Sequence, residues 1–235
     1  MNLTEINPVE KGRGAHTELF LIRHAEREEI RGYIDFTTAG LTANGMKSAI
    51  DFGRLLRRTF PGYELSKPIT SHINRAIDTG KGILQGFYPG SKPEVIVNVD
   101  FFRQVPENSP IWDCIKDLGR HDCNIALAPL SKSTVGADVI NTLSQPLIDS
   151  ITEARKEAIS IPSGSGRIIV GVAHDLNLAA LLHTLAPGYA DESGVRVKYL
   201  DGLRASIHVY EGKEQVFLHW TGQRINGEIS AIRME

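Results

Sequence analysis

The chain has 235 residues, enough to bury a substantial core within one α/β domain. Its 26 basic and 28 acidic side chains leave a formal charge of −2, which excludes the broad basic surface that nucleic-acid binding requires. No apolar run approaches membrane-spanning length, and two cysteines are too few for a disulfide framework.

In chain order, Thr17 to Ile22 is near-continuously apolar, as a strand buried in a parallel sheet should be. Leu41 to Phe60 reads as a helix with Thr42 as N-cap. Met46, Ile50, Gly53, Leu56 and Phe60 form its apolar stripe, and Pro61-Gly62 stops it. A short strand at Pro68 to Thr70 leads into a helix from Asn74 to Phe87, ended by Pro89-Gly90. Glu94 to Val99 is β-branched and predicts a strand. Arg103 to Ser133 has no clean period and reads as irregular; Val135 to Ile159 is helical, with a bend or break expected at Pro146. Together these predict an irregular or helical insertion around 100–160 within a single domain spanning 1–235. Arg167 to Ala173 is a second buried strand, Asp175 to Leu185 a helix, and Leu203 to Tyr210 with Glu214 to Trp220 a hairpin turning at Gly212-Lys213. The fold class is therefore α/β, a mostly parallel sheet flanked by helices.

The polar stretch Met1 to Gly14 holds no signal-peptide core, so the expected compartment is the cytoplasm; a periplasmic or secreted origin would require a leader already removed. Cys114 and Cys123 are close enough in sequence to pair if the compartment oxidises thiols.

The first buried strand ends on Arg23-His24-Ala25-Glu26-Arg27. Guanidinium forks grip phosphate oxygens and neutral imidazole attacks phosphorus, so this pattern predicts a nucleophile in an anion pocket rather than solvated basic residues at a strand end. The second strand ends likewise, on His174-Asp175. Ligand sites in open α/β sheets lie outside the carboxyl ends of strands, so one crevice can receive both histidines. Asp175 taken alone is a helix N-cap; beside His174, and in a chain with Arg-His-x-x-Arg, it is read as a catalytic acid. Ser71-x-x-x-Arg75 stands at another strand-to-helix junction and adds a cation. Two look-alikes fail: Gly40 to Ser48 lacks the preceding strand and the lysine spacing of a P-loop, and Ser165 precedes a strand instead of following one.

These motifs, with Leu41-Thr42-x-x-Gly45-Met46 opening a helix, resemble in order those of the histidine phosphatase superfamily, and within it the acid phosphatase and phytase branch more than the phosphoglycerate mutase branch. Ala25 stands where the family usually has Gly, no Pro follows Arg27, and the chain is short for that branch. The resemblance implies a phosphoglycerate mutase-like fold and a phosphomonoesterase acting on a small organic phosphate. His24 is the implied nucleophile and Asp175 the acid, with Arg23, Arg27, Arg75 and His174 binding the phosphoryl group. No metal and no cofactor is expected, because those four cationic side chains supply the positive charge; the expected partner is a small phosphate ester, not nucleic acid or a membrane.

Two alternatives stay open. A phosphomutase or phosphotransferase of the same superfamily would draw its acid from the middle of the chain, where Glu107 is the candidate. A non-catalytic module binding a phosphorylated ligand would need neither His24 nor Asp175. Trp112 and Phe101-Phe102 could line the leaving-group side, though core packing is the expected role of the phenylalanines.

Overall fold

The computed structural model describes residues 14–29, 38–102, 134–186, 195–221, 223–224 and 227–228. The segment from Arg103 to Ser133, including Glu107, Trp112, Cys114 and Cys123, therefore lies outside the described residues.

Strand β1 (Ala15–Arg23) is followed by helix α1 (Ala43–Thr59), short strands β2 (Glu64–Leu65) and β3 (Ile69–Thr70), helix α2 (Asn74–Phe87), strand β4 (Ile96–Val97) and a 3-10 turn (Val99–Phe102). Helix α3 (Thr134–Ser160), strand β5 (Gly166–Ala173) and helix α4 (Asp175–Leu185) come next. The chain continues with β6 (Val195–Arg196), β7 (Gly202–Tyr210), β8 (Lys213–Thr221), β9 (Gln223–Arg224) and β10 (Gly227–Glu228). The main sheet runs β4-β3-β5-β1-β7-β8, with β2 also paired to β5. Its β4, β3, β5 and β1 members are parallel, whereas β7 and β8 add an antiparallel edge, so the sheet is mixed. Strands β6, β9 and β10 form a separate small sheet.

Side chains alternate across β1, and that alternation divides the core in two. Phe20 and Ile22 pack with Phe52, Leu56 and Ile83 beneath α1 and α2. Leu19 and Leu21 pack with Leu147, Ala154, Leu178 and Leu182 beneath α3 and α4. Strand β5 alternates in the same sense, with Ile168, Val170 and Val172 on the first side and Ile169 and Ala173 on the second. The sheet is thus the middle of three layers.

The structure moves some sequence expectations. The buried stripe of α1 is Gly45, Ala49, Phe52, Gly53 and Leu56, turned slightly from the expected one because α2 approaches at backbone distance. A Cβ on Gly53 would lie 2.1 Å from the Ile83 carbonyl oxygen, and one on Gly86 2.0 Å from that of Ile50. The expected strand over Glu94 to Val99 contracts to Ile96–Val97: the pairing with β3 ends on the bond from Asn98 N–H to the Thr70 carbonyl, and the 3-10 turn begins at Val99. Pro146 does not end α3; one helix runs from Thr134 to Ser160. Asn177 of α4 donates to the Leu143 carbonyl (3.2 Å), pinning α3 to α4 in the turn before the proline. The β7–β8 turn at Glu211 and Gly212 has positive φ at both residues, 50° and 75°, the twist a two-residue hairpin prefers.

Candidate active site

Strands β3, β5 and β1 stand side by side and parallel, and each delivers one polar residue just past its carboxyl end: Ser71, His174 and His24. The ladder runs on through those residues, with Ser71 N–H bonded to the Val172 carbonyl (3.1 Å) and His24 N–H to that of Ala173 (3.1 Å). Backbone anchoring therefore fixes where the His24 imidazole begins and holds on both sides the strand residues that lead into His174. Of the residues singled out in the sequence, the sheet brings together His24, His174, Arg75, Arg23 and Asp175 and leaves Arg27 at their rim.

His24 is 2% exposed. Its Nδ1 lies 2.8 Å from the Ala25 carbonyl, which can only accept, so the proton sits on Nδ1 and the lone pair on Nε2. Arg75 Nε donates to that Nε2 at 3.1 Å. The same guanidinium reaches His174 Nδ1 at 3.4 Å, which leaves His174 Nε2–H to donate to Ser71 Oγ at 2.8 Å. The two imidazole rings meet edge-on, centroids 5.2 Å apart.

Burial pushes the His24 pKa well below its ordinary value, with His174, Arg75 and Arg23 adding to the effect. His174 is lowered well below its usual range in the same way, by burial first and then by Arg75, Arg23, His72 and Arg27. Arg75, 2% exposed, is pulled down to about 10 by burial and by the positive charge of Arg27 and Arg23, opposed by Asp175. Both histidines are thus neutral beside a buried cation.

Arg23 faces the pocket from the end of β1. Its Nη1 donates to the Val197 carbonyl (2.7 Å), its Nη2 lies 3.0 Å from Asp175 Oδ2, and its guanidinium covers the Tyr199 ring at 4.4 Å. Arg27 donates to the Glu28 carbonyl (2.8 Å) and acts on Arg75 and His174 through its charge.

Asp175 is the first residue of α4, not its cap. The N-cap position belongs to His174, which makes no side-chain capping bond. The carboxylate accepts from Leu176 N–H (2.9 Å) and pairs with Arg23, so its helix-start position also turns it toward the cations.

Three contributors carried no assigned role in the sequence reading. Ser71 holds the His174 tautomer, and the Ser-x-x-x-Arg spacing was its signal. Thr79, one helical turn past Arg75, accepts from Ala25 N–H (2.9 Å) and donates to the Arg75 carbonyl (2.7 Å), tying the loop after His24 to α2. Tyr199, in the turn before β7, had no local signal at all.

Neither a protein-family model nor a curated protein matches the chain by sequence. Solved structures match it along most of its length. Phosphoglycerate mutase from Bacillus anthracis is 16% identical with a TM-score of 0.52, over 87% of this chain and 92% of that one. A mycobacterial glucosyl-3-phosphoglycerate phosphatase is 16% identical with a TM-score of 0.53, over 87% and 97%. YhfR of Bacillus stearothermophilus is 18% identical with a TM-score of 0.51, over 85% and 95%. The chain has the phosphoglycerate mutase-like fold, with a central mixed sheet between helices. The resemblance to the acid phosphatase and phytase branch rests on the sequence motifs alone. Among the described residues no helix is long and apolar enough to cross a membrane.

Proposed function

We propose that the chain is a phosphomonoesterase that forms a phosphohistidine on His24. The observation that carries this reading is the fixed tautomer of His24: Nδ1–H is committed to the Ala25 carbonyl, so a buried neutral Nε2 lone pair faces Arg75 within a cluster of cations. An anion-binding module has no use for a nucleophile so prepared.

In the first step Nε2 of His24 forms a bond to phosphorus as the bond to the leaving oxygen breaks, and Asp175 gives that oxygen a proton. Water then attacks phosphorus, the N–P bond breaks with its electrons returning to Nε2, and Asp175 takes the proton from water. Arg23, Arg27 and Arg75 hold the phosphoryl oxygens, the positioning and charge stabilisation on which phosphoryl transfer depends. Neutral His174, expected from the sequence to bind them too, has its Nε2–H on Ser71 and its Nδ1 on Arg75. The three arginines supply the positive charge, and turnover is expected to persist in EDTA.

The test is phosphate release from a panel of phosphate monoesters, with no bisphosphate added, by wild-type protein and His24→Ala. Wild type should release phosphate and the folded variant should not. Substantial turnover by His24→Ala would refute the phosphohistidine route, whereas phosphoryl exchange without net release would favour a mutase.

A further inference from the structure

In-line transfer places the leaving oxygen on the far side of phosphorus from His24 Nε2, next to the acid that protonates it. Asp175 marks that side. Its Oδ2 is 3.0 Å from Arg23 Nη2, and the Arg23 guanidinium lies 4.4 Å from the centre of the Tyr199 ring. The Tyr199 ring is in turn 5.8 Å from the His24 ring, tilted by 44°. Tyr199 therefore borders both the nucleophile and the leaving-group side, yet it remains 38% exposed.

The backbone presents this ring deliberately. Leu200, the next residue, has φ of 61°, a left-handed conformation costly for a side chain branched beyond Cβ. Leu200 N–H bonds to the Arg23 carbonyl (3.1 Å) and Arg23 N–H to that of Asp201 (2.9 Å), so the strained turn is clamped to the end of β1. Strain held in place beside reacting groups points to a function for the residue it displays. Tyr199 also stands among the groups acting electrostatically on Arg75, which places it close to the buried cation.

We propose that Tyr199 is a substrate-contacting residue whose exposed ring forms the leaving-group wall of the pocket and selects esters of flat, apolar alcohols, aryl phosphates above all. This inference rests on the phosphomonoester reading for the direction of the leaving group. One ring face backs Arg23, and the exposed remainder offers an aromatic surface where an aryl group gains stacking and desolvation that a compact alkyl group does not.

Phosphonates test this without turnover, because their C–P bond is not cleaved. Calorimetric titration would compare phenylphosphonate with methylphosphonate on wild type, Tyr199→Ala and Tyr199→Phe. Wild type should bind the phenyl compound about tenfold more tightly. Tyr199→Ala should lose that preference while binding methylphosphonate within about twofold of wild type, and Tyr199→Phe should keep it. The inference is overturned if Tyr199→Ala weakens both ligands alike, which would leave the ring only a prop for Arg23. It is equally overturned if the preference survives in Tyr199→Ala, disappears in Tyr199→Phe, or is absent from wild type, or if wild type binds neither phosphonate. The hydrolytic reading falls on a different result, the failure of wild-type protein to release phosphate in a His24-dependent manner.

Discussion

Arg75 Nε donates its hydrogen bond to His24 Nε2 at 3.1 Å, the atom proposed to attack phosphorus. The guanidinium thereby keeps the lone pair aimed into the pocket while no phosphate is bound. When a phosphoryl group enters, the same donor is already within reach of its oxygens.

Arg75→Ala removes that preorganised donor from a group transferred identically whatever its leaving alcohol. Aryl and alkyl esters should therefore slow alike, on the order of a hundredfold or more in kcat/KM. Steady-state kinetics on one ester of each class checks this, and a loss confined to one class would remove Arg75 from the phosphoryl site.

Asp175→Asn should behave differently. An alkoxide needs a proton as it leaves and a phenolate barely does, so alkyl phosphates should lose about a hundred- to ten-thousand-fold while aryl phosphates lose far less. Because His174 occupies the N-cap position, the change should cost α4 well under the roughly 1 kcal/mol of a lost cap. Equal losses on both ester classes, or a fall in Tm alone, would contradict the acid assignment.

Stability should depend on pH in the ligand-free protein. His24 and His174 are held neutral well below their ordinary value of 6.5 by burial and by the cations around them, whereas the unfolded chain protonates both near 6.5. A depressed folded pKa means that the unfolded state binds more protons, so stability is complete above about 6.5 and falls as the pH drops below it. The slope should approach about 1.4 kcal/mol per pH unit for each histidine. Urea unfolding in phosphate-free buffer between pH 7.5 and 5 measures it, and His174→Asn should flatten the curve. A level profile would mean that the imidazoles are not buried as described.

In the amino-terminal half of β1, Glu18 and Arg204 form a buried pair, with Arg204 Nε 2.6 Å from Oε2 and Nη2 2.8 Å from Oε1. Ser206 Oγ donates to the same carboxylate at 2.9 Å, and His16 Nε2 lies 2.9 Å from Oε1. Burial alone would raise the Glu18 pKa, but the bonds from His16 and Arg204 prevail and hold it below its usual 4.5. Glu18→Gln leaves Arg204 buried without its charge partner and should cost about 3–5 kcal/mol. Thermal unfolding measures the loss. Assayed at a temperature where the variant is folded, kcat should remain near wild type, because the pair lies in the amino-terminal half of the strand and His24 beyond the carboxyl end; a large drop in kcat would show that the two places communicate.

Where one stretch of chain builds a feature, the sequence declared it. The apolar runs of β1 and β5, each ending on a histidine, located the crevice, and helix signals placed Asn74–Phe87 and Asp175–Leu185 to the residue. Arg75 was legible only through its spacing from Ser71, since nothing local distinguishes a buried helical arginine from an exposed one. Tyr199 was invisible because its partners Arg23 and His24 come from the opposite end of the chain and meet it only through the β1–β7 pairing. The polar cluster around Glu18 was hidden for the same reason: a lone Glu in an apolar strand reads as an irregularity until Arg204 and Ser206 arrive across the sheet.

The close approach of α1 and α2 through Gly53 and Gly86 has a consequence far from either glycine. The start of α1 is fastened to the nucleophile's loop, with Thr42 and Asn44 both donating to the Glu26 carboxylate, while α2 carries Arg75 and, through Thr79, holds Ala25. The gauge between nucleophile and clamp is therefore set partly by how deeply the two helices mesh several turns away. A single methyl at Gly86 would act as a shim, wedging the helices apart and widening that gauge without altering any residue of the proposed phosphoryl site.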